Sequence, residues 1–480
     1  MKNQTKQFCQ EISSLKISRN NVICGLVLAL GSSTDADSVA ELSESRFLPH
    51  EYSSIYKAIT DLAKDSEEYE KVRKIISRFC INSIEQSSIY TLTTDTTPLR
   101  KGHSACLAER TYIHVPNVLI KGNKPLDIGY NYSFINLSPE EESKWSLPVS
   151  IKRVSCTQTA SQTAIAQLSD LFCDEDLPFG QASMVINTLD SAYGNPAYLA
   201  NVYNKANLVN IVRMRQGSKV YPLSVQSGTG GAPKIYGEKL HLIEESRMYT
   251  FKYKGEEKQS YQKTILSLEV SENLCFETVT AKGKPIRFEV KRFNNMMIRT
   301  KKGHNMKDKP FDLLVCKAFD IERDKPLFKS PMWIGIHGEK KQEITSLNGI
   351  QKYLHRYDIE PFFRFAKQKM MLDKYQTPSL QNIENWMLIQ QLTSWVLWHA
   401  STEVNANPKP WQKYLPTYQN LEEGQRLSMA QTRKATEKLF LTFDLTDLKP
   451  QKSKKGKPRE RGDKLKKRIR HPVKKKQGHT

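Results

Sequence analysis

The chain is short of acid and lacks the spacings that bind zinc. Its 480 residues hold 51 Asp and Glu against 73 Lys and Arg, a net charge of +22 at pH 7. The eight cysteines (Cys9, Cys24, Cys80, Cys106, Cys156, Cys173, Cys275 and Cys316) are scattered, and no two form a CxxC. That argues against a zinc centre and reads as reduced thiols in a cytosolic protein. No apolar run reaches the ~20 residues that span a bilayer. Val22–Gly31 (VICGLVLALG) is too short, and Glu11 interrupts the basic start that a signal peptide needs, so the run reads as a buried helix or turn. Asn385–Ala400 carries Trp386, Trp395 and Trp398 with Gln390 and Gln391 among them, and reads as a core helix. Gly228-Thr-Gly-Gly-Ala-Pro-Lys234 lacks the G-K-[ST] ending of a phosphate loop and a following helix, which speaks against nucleotide binding. There is no internal repeat.

What is present is positive charge on a globular frame. Hydrophobic residues make up 38% and charged residues 26%, enough for more than one core, roughly two to four domains. The charge balance favours a polyanionic partner, most commonly nucleic acid. Residues 451–480 hold 14 Lys and Arg against 2 acids. With almost no large apolar residues, this segment is expected to be a disordered basic tail that contacts phosphates without sequence preference.

The remainder divides by texture. Residues 1–85 look helical, with Tyr52–Arg78 rich in helix formers. Residues 86–202 turn to strand patterns at Ile89–Asp95, Ile128–Leu137 and Leu147–Val154, then a helix at Thr159–Phe172 and strands at Met184–Asp190 and Asn207–Met214. Residues 203–342 read as a β-rich insertion. Gly228–Gly231 with Pro233 marks a flexible connection, and short strands are expected at Thr264–Val270, Cys275–Val279, Ile286–Val290, Asn295–Thr300 and Phe311–Ala318. Helical pattern returns over residues 343–400 and 401–450, with a Pro-rich break at Asn407–Pro416. Strands, helix and strands again predict an α/β layer arrangement.

Three acids stand out. Asp95 closes Tyr90-Thr-Leu-Thr-Thr-Asp, and Pro98 predicts that the strand stops there. Asp190 closes Met184-Val-Ile-Asn-Thr-Leu-Asp ahead of a strong turn signal. Neighbouring strands would bring both carboxylates to one sheet edge, and a helix-borne acid would complete a cage of hard oxygens suited to Mg²⁺ or Mn²⁺. Glu360 is the candidate for the third, in Tyr353-x-x-Arg356-x-x-x-Glu360-x-x-x-x-x-x-Lys367. At 100° per residue Glu360 and Lys367 share a helix face. Pro361 belongs in a first turn, so the stretch is expected to be two helices: roughly Ser346–Tyr357, then one starting at Glu360. Any single aspartate at a strand end is more often a turn former than a ligand, Glu360 alone could merely cap a helix, and Lys367 alone could be a solvated face. His103, His337 and His355 lie near the motifs and read as structural or phosphate contacts.

The spacing Y-(2)-R-(3)-E-(6)-K resembles the signature of the DDE insertion-sequence transposases that carry a YREK motif, in all four residues and all three spacings. Asp95-Thr-Thr-Pro-Leu-Arg100 resembles the first-aspartate motif, and Leu189-Asp190-Ser-Ala-Tyr193 the second. Trp145-Ser-Leu-Pro148 with Arg153 resembles a strand between them. The likeness covers roughly residues 86–400. It implies an RNase H-like mixed sheet flanked by helices, interrupted by the β-rich insertion. It also implies that Asp95, Asp190 and Glu360 hold two Mg²⁺ (or Mn²⁺) ions. Tyr353, Arg356, Lys367 and Arg100 would contact DNA. Trp333, near the end of the insertion, would either stack on a flipped base or pack in the core.

The expected function is therefore DNA transposition: hydrolysis at transposon ends, then transfer of the 3′-hydroxyl into target DNA. The expected partners are double-stranded DNA, in terminal inverted repeats and target, and a second copy in a homodimer. The expected setting is the prokaryotic cytoplasm, at the nucleoid, and residues 1–85 are the candidate reader of end sequence. The alternatives are a non-cutting DNA-binding protein derived from a transposase and a basic RNA-associated protein.

Overall fold

The computed structural model describes residues 4–49, 51–115, 125–140, 143–224, 235–280, 283–299, 306, 308–406, 408–419, 421, 425–443, 462 and 467–475. The first residues are helical: α1 (Gln4–Ser14), α2 (Asn20–Ser32), α3 (Tyr52–Leu62) and α4 (Ser66–Ile81). Then come β1 (Ile89–Arg100), β2 (Thr111–His114), β3 (Leu126–Ser138) and β4 (Leu147–Val154). They are followed by α5 (Ala160–Phe172), β5 (Met184–Leu189), α6 (Pro196–Val202) and β6 (Leu208–Arg213). The β-rich stretch holds β7 (Lys219–Pro222), β8 (Leu240–His241), β9 (Arg247–Tyr253), β10 (Glu256–Gln262), β11 (Glu272–Val279), β12 (Pro285–Met297), β13 (Phe311–Asp320), β14 (Lys325–Pro326) and β15 (Met332–His337). Last come α7 (Ser346–His355), α8 (Ile359–Lys369), α9 (Leu380–Ala400), α10 (Pro416–Gln419) and α11 (Met429–Phe440).

The chain forms two compact units whose segments interleave. One comprises residues 1–86, 96–159 and 358–480, the other residues 87–95 and 160–357. The architecture is α/β, with a mixed sheet flanked by helices and a helical N-terminal region, as in RNase H-like folds.

In the first unit, α9 is the central element and packs α1, α2, α3, α4, α11 and β4. Most of its buried polar groups find a partner, although the Oε1 atoms of Gln390 and Gln391 do not. Trp386 Nε1 donates to Met371 O at 3.1 Å, Trp395 Nε1 to Pro148 O at 2.9 Å, and Asn385 Nδ2 to Ile59 O at 2.7 Å. Both apolar stretches of the sequence are thus core helices, and among the described residues no helix is long and apolar enough to cross a membrane. The helix-forming stretch Tyr52–Arg78 holds two helices. The second starts at the N-cap Asp65, whose side chain accepts from the N–H groups of Glu67 and Glu68. In the same unit β3 pairs β2 at its start and β4 along most of its remaining length. It approaches Leu99 so closely that a Cβ on Gly129 would meet the Leu99 carbonyl.

The basic C-terminal segment expected to be disordered lies mostly outside the described residues. Residues 467–475 run beside β2: His471 N donates to Ala105 O at 2.9 Å and Lys474 N to Arg110 O at 2.8 Å.

In the second unit β1, β5 and β6 run parallel. The strand order continues β6–β15–β13–β12–β7–β8, antiparallel from β15 onward. Ile186, Val209, Ile211, Leu314, Ile334 and Ile336 cluster on one face with Ile350 and Tyr353 of α7, and burial is worth roughly 1.5–3 kcal/mol per large side chain. The expected end of β1 at Asp95 is corrected: the strand runs through Pro98 to Arg100. Its ladder to β5 stops at Thr94↔Leu189, so Pro98 withholds no hydrogen bond from β5.

The β-rich insertion also differs in detail. Thr264–Val270 is no strand but holds a single 3-10 turn, Ile265–Ser267, capped by Thr264. Asn295–Thr300 is not separate, since Asn295–Met297 finishes β12 after a bulge. The connection at Gly228–Gly231 lies outside the described residues. A two-stranded ribbon that the sequence reading missed, β9–β10, turns through Lys254 and Gly255 at φ 52° and 88°, a left-handed pair that suits a tight hairpin.

Candidate active site

Parallel pairing of β1 with β5 ends at Thr94↔Leu189, and that of β5 with β6 at Leu189↔Val212. The next residues, Asp95, Asp190 and Arg213, therefore stand level where the parallel pairing of three adjacent strands ends, the edge at which ligands gather in sheets of this kind. Two residues back along each acid-bearing strand, on the same face, the hydroxyls of Thr93 and Thr188 are 2.9 Å apart. The two strand ends are thereby tied together beneath the carboxylates. Both aspartates are half-buried. Asp190 Oδ1 also accepts the N–H of Ala192 at 2.9 Å, and Asn195 then caps α6, so the turn signal does local work and leaves the second oxygen to other partners.

α7 brings the cations. Its N-cap Thr345 accepts from Asn348 N at 3.2 Å, and it ends where Arg356–Asp358 tightens into a 3-10 turn. α8 then starts at Ile359 with Pro361 in its first turn, so Pro361 does separate two helices as expected. Arg356 Nη1 donates to Asp95 Oδ2 at 3.3 Å, with the side chains 8% and 17% exposed. Its guanidinium lies 4.5 Å from the centre of the Tyr357 ring. Burial alone would lower the Arg356 pKa, but Tyr353, Asp95 and Tyr357 hold it above its ordinary value. Tyr353 is buried in the core cluster, and burial pushes its pKa up to about 12. Arg213 Nη1 donates to Tyr357 Oη at 3.4 Å, and Lys352 Nζ to Thr91 Oγ1 at 3.3 Å. Sequence reasoning missed Arg213; the readable signal was an arginine closing the apolar run Leu-Val-Asn-Ile-Val.

Glu360 and Lys367 belong to the other unit. α8 buries Ile359, Phe362, Phe365 and Ala366, and Phe362 and Phe363 meet Phe134 of β3 edge-on at 6.0 and 5.1 Å. Glu360 is exposed in the first turn, where a negative charge complements the helix dipole. Lys367 is half-buried and donates to Pro98 O at 2.9 Å; burial lowers its pKa. Arg100 lies 3.6 Å from Asp127. Trp333 is 2% exposed within β15, packed in the core. His337 is fully buried, which pulls its pKa down to about 3, so it is neutral near pH 7. His103 is exposed and His355 half-buried.

Among the described residues no three Asp, Glu, His or Cys side chains are gathered to hold a metal. In kind, the paired strand-end carboxylates are the hard oxygen donors that Mg²⁺ and Mn²⁺ take, so the donor set fits such an ion. One oxygen of Asp95 is engaged by Arg356.

Residues 13–264 match the family model described as DDE superfamily endonuclease. The chain belongs to that family. The match takes in Asp95, Asp190 and Arg213 and stops short of the Tyr353–Lys367 stretch; at its other end it reaches well into the helical N-terminal region, where no likeness was read. No curated protein matches the chain.

Proposed function

We propose that this endonuclease-family chain is the transposase of a DNA insertion sequence. The observation that carries the reading is the strand register that sets Asp95 level with Asp190, with Arg356 of the Tyr353–Lys367 motif on Asp95. Asp95, Asp190 and, from α8, Glu360 would hold two Mg²⁺ or Mn²⁺ ions. Bound there, such ions would supply activation of a water and stabilisation of the leaving oxygen. Arg356 and Arg213, both permanently charged, would steady the phosphate between the acids and fix its orientation by their planar donor sets. Lys367 and Arg100 would meet the backbone further along. The released 3′-hydroxyl would attack target DNA by the same in-line geometry, with no covalent protein intermediate. Two ends must be cut together, so the active form is a homodimer on duplex inverted repeats.

One observation favours a second reading, a non-cutting DNA-binding derivative: Arg356 already engages Asp95. A nicking assay on cognate ends with and without Mg²⁺, using Asp190→Ala as control, decides between them. Mg²⁺-dependent nicking that the variant loses supports the transposase. No cleavage, or equal cleavage by the variant, leaves the DNA-binding reading.

A further inference from the structure

The first unit holds a cationic site of its own. A cleft of about 520 Å³ is lined by Lys369 at the end of α8, Lys409, Trp411, Arg433 and Lys434 of α11, and Asp35 after α2. Four cations thus face one carboxylate. Arg433 is 4% exposed. Its Nε donates to Leu30 O at 3.1 Å and its Nη2 to Ser33 O, so it closes the end of α2 through carbonyls, and burial lowers its pKa to about 10. A buried guanidinium answered by carbonyl dipoles is a charge that an incoming anion relieves.

Trp411 adds a different chemistry. Trp411 is 62% exposed, on the 3-10 turn Pro410–Tyr414, which Pro408 and Lys409 lead into. Prolines fix the backbone there, so the ring is presented at little entropic cost. An exposed planar ring among lysines meets the two demands of unpaired nucleic acid, a stacking face for the base and charge for the backbone. Duplex DNA offers no free base face. The cleft volume lies in the range of sites for small molecules, too small for a double helix. α8 carries Glu360 at its start and Lys369 at its end, nine residues or about 14 Å along the axis.

We propose that this cleft holds single-stranded DNA, with one base stacked on Trp411 and flanking phosphates on Lys369, Lys409 and Lys434. The inference takes from the proposed function only the choice of DNA as the nucleic acid. Its test is metal-free binding of a labelled oligo(dT), read by fluorescence anisotropy on the full-length protein. Trp411→Ala weakens that binding about tenfold and leaves duplex affinity unchanged. Lys409→Gln with Lys434→Gln lowers the salt slope for single strands by about 1.4. Asp190→Ala leaves single-strand binding intact, so failure of cutting and failure of the cleft are read separately. The proposal is overturned if Trp411→Ala leaves oligo(dT) affinity unchanged, if duplex binding falls equally, or if thymidine monophosphate or poly-glutamate competes as well as the oligonucleotide. Trp411 and both lysines are exposed, so these variants keep the fold.

Discussion

The strand-end site and the cleft treat charge in opposite ways. Where the parallel pairing ends, Arg356 engages Asp95, and Arg213 stands level with Asp190 in strand register, two bases beside two acids. In the cleft four cations share one aspartate. The first arrangement is stable with nothing bound and can exchange a guanidinium for another cation. The second holds excess positive charge and gains by taking an anion. The contrast separates a place built to position carboxylates from one built to grip a backbone.

The largest expected effect breaks the comparison outright. Asp190→Ala lowers Mg²⁺-dependent nicking on the order of a thousandfold, with cleft binding of oligo(dT) unchanged. Next comes stability. Asp312 of β13 is fully buried between Arg292, at 2.6 Å, and Lys341, at 2.5 Å, and Arg292 also donates to Ile344 O at the approach to α7. Asp312→Asn strands two buried cations and costs about 3 kcal/mol, seen as a lower urea midpoint. If stability is unchanged, charge parity is not what holds this unit. Arg356→Gln then sharpens the contrast: nicking falls about tenfold and the salt slope for duplex binding drops by about 0.9. Faster nicking would instead mark Arg356 as a block on Asp95. Trp411→Ala gives a similar loss, confined to single strands.

The smallest effect concerns pH and compares the two units. His337 in one and His399 in the other have pKa values lowered by burial, to about 3 and about 4. An unfolded histidine takes a proton near pH 6.5, whereas the folded ones resist it. The unfolded state therefore binds more protons below that pH, and stability is lost as pH falls from about 6.5 toward 4 and 3. His337→Phe and His399→Phe each flatten that acid limb in urea titrations; an unaltered limb would show that other groups set it.

Legibility followed periodicity. β4 was readable to the residue because Leu147, Val149 and Ile151 alternate along it, and β5 and β6 nearly so because mostly apolar runs mark strands buried on both faces. The two helices around Pro361 were readable because proline has few permitted places. Thr264–Val270 misled because β-branched residues also serve caps, as Thr264 does for its 3-10 turn. The ribbon β9–β10 was passed over although Tyr249, Phe251 and Tyr253 alternate with Thr250 and Lys252; every residue in β9 is exposed, so its aromatic face marks no core. Lys409 and Trp411 were passed over as part of a Pro-rich break.

By itself the sequence determined which residues could carry hard-metal chemistry and where β4, β5 and α7 begin, since both depend on residue type and local spacing. It placed Asp95 and Asp190 at or near strand ends and Tyr353, Arg356, Glu360 and Lys367 on two short helices. Only the tertiary structure decided that Asp95, Asp190 and Arg213 stand level, that Trp333 is core, that Lys367 spends its amine on Pro98, and that Lys369 and the pair Arg433 and Lys434 share a cleft with Lys409 and Trp411. Strand register and burial are set by packing between segments far apart in the chain, and local spacing carries no record of that packing.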